Sequence, residues 1–496
     1  MATPGLFLVI DQSTSATKAM VFSHEGALLD QDALVHQQIY PQPGWVEQDA
    51  GEIFKNTLAV ISKILNRHQS EWGNFIALSI TNQRETFVVF DKKTGQPLYN
   101  AIVWQCTRGE DLCRQLMDEG HADLVQQKTG LRIDTYFPAS KMTWLFANRA
   151  DIREQVNRGE ALIGTIDAYL IYLLTNGQVF ATDHTNASRT LLYNIHTLAW
   201  DSEMANLFKI PLQALPEIRS CDSTFGETNF GGILPFSLPI CGVMGDSQAA
   251  LFAERCYQPG SAKITFGTGS SILLNVGPQP RPAKQGIVTA VAWVLQNQPT
   301  YAFEGITNYT GATIQWLRDQ LGLIQTSQET ETLANSVKDN AGVYLVPAFV
   351  GLSAPYWRPE ARAGILGLTP SATRAHVARA ALEAIAYIIN DVLDLMKGMT
   401  AVELTSIYAD GGASRNQFLM QFVSDITGLN VLAAQTPELS ALGAVFAGML
   451  GMKTLSSLVD LEALPQQFVS YSPELPRENV ELLLAGWKHA VSQILS

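Results

Sequence analysis

FLVIDQSTSATKAMVF, residues 7–22, reads as two strands around a polar turn: an apolar run ending at Asp11, the small polar residues of QSTSAT, and a second apolar run, KAMVF. A further turn at Ser23 to Gly26 and the segment ALLDQDAL extend it to an antiparallel meander. Ser, Thr, Asn, Asp and Gly accept the backbone angles of a reversal, whereas branched and aromatic residues favour the flanking strands. The pattern recurs in the second half. AKITF runs into Gly267-Thr268-Gly269-Ser270 and on into SILLNVG, again strand, Gly/Ser/Thr turn and strand, which points to an internal duplication of one hairpin.

Working outward, other strands lead directly into helices. CGVMGDS precedes QAALFAERC, and SIYADGGAS precedes RNQFLMQFVSDITG, which Gly428 ends. Both place an Asp and a Gly at the carboxyl end of a strand, where ligands of α/β sheets bind. The spacing predicts an amphipathic helix over residues 50–68, with Asp49 and Glu52 as a capping box and Ile53, Leu58, Ile61 and Leu65 on one face, and a second long helix over residues 373–396. Hairpins and strand-helix units in both halves indicate two α/β domains. Gln258-Pro259-Gly260 is the least structured seam, which sets the expected division at residues 1–254 and 255–496.

The chain of 496 residues is about three times a typical domain, and its 47% hydrophobic content is ample for two or more cores. A net charge of −13, from 33 Lys plus Arg against 46 Asp plus Glu, with no basic run, argues against nucleic-acid binding. Met1-Ala2-Thr3-Pro4 leads straight into the first strand without the marks of a signal peptide. The longest apolar stretch, residues 441–452, is Gly-rich and well short of the roughly 20 residues that span a bilayer. No membrane insertion and a cytoplasmic location are the expectations. Cys106, Cys113, Cys221, Cys241 and Cys256 are odd in number and form no CxxC pair, so they read as buried small apolar residues.

Several of these positions suit phosphate chemistry. A phosphate needs several donors close to its oxygens, and Thr14, Ser15, Gly267, Thr268 and Gly269 offer hydroxyls and unencumbered main-chain N–H groups. Either turn alone is more simply an ordinary hairpin turn, since turns select these residues anyway; the repetition in both halves weakens that reading. Asp11 at a strand end suits magnesium, or else caps its own turn. Asp246 between strand and helix suits a general base for a hydroxyl, or else serves as a helix cap. In ITNQRETFVVFD the Arg84-Glu85 pair offers a donor beside an acceptor, which matches the hydroxyls of a polyol, or else is an exposed ion pair. Trp104 in NAIVWQCTR and Tyr136 in DTYFP supply an apolar wall and a phenol for a carbohydrate-like ligand, or else belong to the core.

These segments, together with PQPGWVEQD, TDHTNASRT, GATIQWLRD, GVYLVPAF, APYWRPEARAG and DGGASRNQFLMQF, resemble the FGGY family of carbohydrate kinases, nearly end to end and in order, and within it the glycerol kinases most. The resemblance implies an α/β fold of two ribonuclease H-like domains (the actin-like ATPase, sugar kinase/hsp70 superfold) around an interdomain cleft. The first domain would hold the polyol and the metal, the second ATP. Carried over by position, the polyol contacts fall on Arg84, Glu85, Trp104, Tyr136 and Asp246, with Asp246 as base and Asp11 as the Mg2+-linked carboxylate. The ATP contacts fall on Thr14, Ser15, Thr268, Gly311, Gln315, Gly412 and Asn416, with Lys18 where the family usually has Arg. The implied activity is ATP-dependent phosphorylation of a small polyol, glycerol being the first expectation, in a chain that forms a dimer or tetramer.

Two departures bear on that substrate. GDSQAAL places Ser247 where a glutamine is expected, and GTGSSILL places Ser271 where a phenylalanine is expected. Both shrink the substrate side and leave room for a longer polyol or ketose of the erythritol, ribulose or xylulose type. A sugar-responsive binding protein without catalysis is the rival from another class; the joint presence of Asp11, Thr14, Asp246 and the GTG turn speaks against it. GGILPFSLP lacks the Gly-rich, Arg-containing pattern with which some relatives bind an inhibitory sugar bisphosphate, so that control is expected to be absent.

Overall fold

The computed structural model describes residues 5–352 and 354–496; residues 1–4, where the reading found no signal peptide, lie outside them. The quoted hairpin is built from β1 (Leu6–Gln12) and β2 (Ala16–Ser23), and β3 (Leu28–Val35) completes the meander. With β4 (Phe75–Asn82), β5 (Thr224–Thr228) and β6 (Leu238–Gly245) they form one sheet in the order β3-β2-β1-β4-β6-β5. β1 runs antiparallel to β2 and parallel to β4, β4 parallel to β6, and β5 antiparallel to β6. β1 is buried along its whole length, as a strand covered on both faces must be. β3 is the edge, with alternating exposure. Its Asp30 and Asp32 pair with Arg67 and Lys63 of a neighbouring helix, charges that blunt the edge against pairing with another chain.

The second half repeats this plan. β7 (Ser261–Phe266), β8 (Ser270–Gly277), β9 (Val288–Leu295), β10 (Gln298–Thr307), β11 (Ser406–Asp410), β12 (Asn430–Ala434) and β13 (Phe468–Tyr471) pair in the order β9-β10-β8-β7-β11-β12-β13. The run β10-β8-β7-β11-β12-β13 has the order and strand directions of β3-β2-β1-β4-β6-β5. The duplication read from two hairpins therefore extends to two whole sheets.

The helix expected over residues 50–68 is α1 (Ala50–Arg67), started by the Asp49 carboxylate, which accepts from the N–H groups of Gly51 and Glu52. The capping box is only half made. Glu52 turns away and accepts from the N–H of Gln37 at 3.2 Å, tying α1 to the strap after β3. α2 (Asp246–Ala253) continues β6 without a loop, and α3 (Gly311–Asp319) follows β10. The long helix expected over residues 373–396 is α4 (Arg374–Lys397), and α5 (Gln417–Thr427) ends at Gly428 in the left-handed conformation.

The Gly-rich apolar stretch is α6 (Leu439–Gly451), and it crosses back to the first sheet. It packs on α2, β6, β4 and β1, where a Cβ on Gly443 would lie 1.8 Å from the Ala249 carbonyl. Glycine thus lets two helices approach at backbone distance. One apolar core accordingly contains Phe7 and Val9 of β1, Ala444 and Met449 of α6, and Leu273 and Ala302 of the second sheet. Among the described residues no helix is long and apolar enough to cross a membrane, and all five cysteines are buried and unpaired.

Candidate active site

Strand ends of the first sheet deliver the polar residues. β4 ends at Asn82, and the chain turns through Gln83, Arg84 and Glu85 before entering a strand, Phe87–Asp91, of a separate sheet. The NQRE segment is therefore a passage between two sheets and not a hairpin turn. Glu85 takes φ of +63°, a left-handed conformation that costs a non-glycine residue about 1–2 kcal/mol, and its carboxylate is held there by Arg189.

Arg84, Glu85, Trp104, Tyr136, Asp246, Ser247 and Ser271 all line one cavity of about 300 Å³, together with Gln83, Thr265, Gly269, Ser270 and Ile306. Ser271 and Ile306 come from the second sheet, so both halves of the chain build it. Thr14 lines this cavity too. Its hydroxyl accepts a hydrogen bond from the Trp104 indole at 2.9 Å, and its carbonyl lies within 2.9 Å of His36 Nε2 and accepts from Gln38 and Gln48 at 2.6 Å. The rings of Trp104 and Tyr136 stand 5.3 Å apart and form one wall.

Beneath that wall lies a buried ionic network. Arg84 donates to Gln248 at 3.0 Å and to Glu304 at 3.2 Å, and its Nε lies 3.1 Å from Asp246 Oδ1 without the alignment of a hydrogen bond. Arg189 donates to Glu85 and, with its other branch, to Glu304. Two guanidiniums thus face three carboxylates, those of Glu85, Glu304 and Asp246. Burial drives the Glu304 carboxyl upward, but the two arginines outweigh it and hold the group below its ordinary range. For Glu85 burial prevails over the same partners and the pKa is raised. Asp246 is half exposed and accepts from the N–H of Ser247 at 2.6 Å, so a charged oxygen meets the cavity. Asp11, near the end of β1, is pushed up to about 7 by burial first, against the pull of Lys18, with Asp246 and Glu438 adding to the rise.

A second cavity, of about 460 Å³, is lined by Thr268, Gly311, Gln315, Gly412 and Asn416, with Gly267, Thr330 and Glu331. The β7–β8 turn docks on the start of α3: Gly267 accepts from the Gly311 N–H, and Thr268 from those of Thr310 and Ala312. A Cβ on Gly311 would lie 2.7 Å from the Gly267 carbonyl, so the approach requires glycine. Gly267 faces the larger cavity and Gly269 the smaller, so this one turn runs between the two. Asn416 also caps α5, accepting from the Leu419 N–H at 2.9 Å.

Three of the positions expected at a nucleotide stand elsewhere. Thr14 lies in the smaller cavity, Ser15 is exposed outside both, and Lys18 forms a 2.7 Å ion pair with Glu438. Among the described residues no group of three or more His, Cys, Asp or Glu is arranged to hold a metal ion. The chemistry of the donor set nevertheless suits a hard cation: Asp11 is a buried carboxylate whose charge is opposed by burial and by the neighbouring Asp246.

Sequence reading missed Arg189, Glu304 and Gln248. Glu304 carried a signal, a charged residue within the apolar strand YAFEGI, and Arg189 is the penultimate residue of the stretch TDHTNASRT. That stretch supports the site throughout. The Thr185 hydroxyl accepts from the N–H of Gly245, just before Asp246, and Asn186 exchanges two hydrogen bonds with Asn82 at the end of β4.

A model of the FGGY family of carbohydrate kinases, N-terminal domain, matches residues 6–253, and its C-terminal domain matches residues 262–452. The chain is 45% identical over 489 residues to Glycerol kinase 1 of Thermotoga maritima, covering 99% of both, and 43% identical over 484 residues to a glycerol kinase of Xanthomonas campestris, covering 98% of this chain and 97% of the relative. The crystal structure of Plasmodium falciparum glycerol kinase with ADP superposes with a TM-score of 0.96 at 34% identity over 99% of each chain. Xylulose kinase from Lactobacillus acidophilus, at 21% identity and a TM-score of 0.89 over 99% of each chain, shares the fold. The twofold sheet plan, the two cavities joined by one glycine turn and matches over both halves lead to one conclusion: the chain belongs to the FGGY family of carbohydrate kinases.

Proposed function

We propose that the protein transfers the terminal phosphoryl group of ATP to a hydroxyl of glycerol. The observation that carries this reading is the convergence of Arg84, Glu85, Trp104, Tyr136 and Asp246 on one small cavity, which shares the turn Gly267-Thr268-Gly269 with a larger one. The relatives named glycerol kinases, at 43–45% identity over nearly the whole chain, support it. In this reading residues 1–254 carry the acceptor side and residues 255–496 the nucleotide side. Thr268, Gly311, Gln315, Gly412 and Asn416 would line the ATP site; Ser15 and Lys18, outside both cavities, would need the cleft to close.

Arg84 and Glu85 offer donors and acceptors to vicinal hydroxyls, while the Trp104 and Tyr136 rings cover the carbons. Asp246 takes the proton of the attacking hydroxyl as its oxygen bonds to the γ-phosphorus and the bond to ADP breaks. Main-chain N–H groups of the glycine turn stabilise the charge on the transferring group. Asp11 would hold Mg2+, which when bound neutralises phosphate charge. ATP as donor and five unpaired cysteines fit a reducing, cytoplasmic setting. A dimer or tetramer would be read by light scattering.

A specific observation favours a second substrate class. The hydroxyls of Ser271 and Thr265 line the smaller cavity, are buried and have no hydrogen-bond partner. Such orphaned groups favour a ligand that reaches them, a four- or five-carbon polyol or ketose. ADP release with Mg-ATP and glycerol, dihydroxyacetone, erythritol, xylitol, D-ribulose or D-xylulose decides between the two. Efficient turnover of glycerol to glycerol 3-phosphate upholds the first, and preference for a longer compound replaces it with the second. Binding of any of these without ADP release would make the protein a non-catalytic sugar-responsive binder.

A further inference from the structure

Lys141 is fully buried in the helix Pro138–Asn148, and all its hydrogen bonds go to main-chain carbonyls. Its Nζ donates to Thr135 at 2.7 Å, Tyr136 at 3.1 Å and Trp104 at 3.3 Å. Only an ammonium directs three donors from a single atom, and here three carbonyls receive them. Two of the three belong to the residues whose rings form the cavity wall. Trp104 and Tyr136 are far apart in sequence and lie on connections with no strand pairing between them, so the ammonium is the polar link that ties their backbones together.

We propose that Lys141 is a positioning residue of the acceptor site, fixing the main chain of Trp104 and Tyr136 so that their rings keep the spacing a bound polyol requires. The proposal rests on the reading of the smaller cavity as the polyol site. Burial lowers the lysine to about 8, against the opposing influence of Cys106, Glu85, Asp134 and Cys113. As the pH rises through that value the ammonium becomes an amine with two donors, and one carbonyl of the three is released.

The test compares Lys141→Met, Lys141→Gln and Trp104→Ala with the unaltered full-length protein, measuring KM for glycerol and for ATP separately. Lys141→Met is expected to raise the glycerol KM roughly 10- to 100-fold, the scale of losing sub-ångström alignment, with the ATP KM within about twofold. Lys141→Gln, which retains two donors, should fall between. A lysine with a merely structural role would lower the active fraction, and so kcat, without moving either KM. Should neither variant fold, the unaltered protein supplies the answer: its glycerol KM should climb between about pH 7 and 9.5 while the ATP KM stays level, and Cys106→Ala should keep that climb. A folded Lys141→Met with an unchanged glycerol KM, a level profile in the unaltered protein, or loss of the climb in Cys106→Ala overturns the proposal. If Trp104→Ala leaves the glycerol KM unchanged, the acceptor-site reading itself falls; if only the Trp104 variant responds, the fault lies with Lys141 alone.

Discussion

Removing Arg189 should cost the fold more than it costs any single contact. The side chain is 1% exposed and bonds two carboxylates, Glu85 and Glu304, in a network where two guanidiniums already face three carboxylates. In Arg189→Met, of similar length, Arg84 alone would remain against Glu85, Glu304 and Asp246. Breaking a buried pair by removing one partner costs about 3–5 kcal/mol, chiefly from the charge left behind. The companion change identifies that cause. Glu304→Gln added to Arg189→Met restores the original charge imbalance of one, so the double variant should be more stable than the sum of the singles by at least about 1.5 kcal/mol. Urea titration of the two singles, the double and the unaltered protein at neutral pH, followed by circular dichroism, reads all four corners. An Arg189→Met protein within about 1 kcal/mol of the original, or strict additivity in the double, would refute the account of a compensated buried network.

Asp246→Asn should lower turnover roughly 10²- to 10⁴-fold, read by ADP release, while ADP affinity measured by calorimetry stays near normal; unaltered turnover would remove Asp246 as base. Ser271→Phe combined with Ser247→Gln fills the wall and removes the orphaned Ser271 hydroxyl, so it should raise the preference for glycerol over erythritol or xylitol in kcat/KM by about tenfold, and no change in the ratio would deny these two positions a say in acceptor length. Asp11→Asn should stabilise the protein measured without nucleotide or metal. A carboxyl held at about 7 when folded and about 4 when unfolded binds more protons in the native state across that window, so stability from this group is full below about pH 4 and lost as the pH passes 7. The gap between variant and original should widen over that interval by up to roughly 4 kcal/mol, and a gap that is constant from pH 4 to 8 would contradict the burial of a reluctant charge.

The hairpins were legible because a strand and its turn are local, and local choices of Gly, Ser, Thr and branched residues write themselves into sequence. Asp246 and the β7–β8 turn were legible for the same reason. What escaped reading is what distance in sequence conceals. Arg189 and Glu304 meet across 115 positions, one in the turn after the short helix His184–Ala187 and the other inside β10. The resemblance places Lys18 among the ATP contacts, whereas in the structure it pairs with Glu438, itself in a left-handed conformation at the start of α6, which no local pattern announces. The resemblance places Thr14 at the nucleotide; in the structure the indole of Trp104, 90 positions away, donates to its hydroxyl. Glu52 shows the same at small scale, since the spacing suits a capping box but the Gln37 N–H, 15 positions away, donates to the carboxylate.

The two copies of the hairpin have diverged in a way their surroundings explain. In the first, the turn is closed by side chains: the Thr14 carbonyl receives donors from His36, Gln38 and Gln48, and Ser13 bonds Ala16 through both its main chain and its hydroxyl. A turn so occupied serves as a rigid stop for the Trp104 indole. In the second, glycines at 267 and 269 leave no side chain in the way, and a Cβ at Gly269 would sit 2.2 Å from the Thr307 carbonyl, so the turn presses close to β10 while facing both cavities. One copy is filled by side chains on the smaller cavity, and the other leaves its main chain facing both cavities. Glu304, on the strand that ends at that same Thr307, reaches back to both arginines of the first half. Those buried pairs, with α6 packed on the first sheet, tie the floor of the smaller cavity to the second half of the chain, so the two halves are joined by charge as well as by apolar contact.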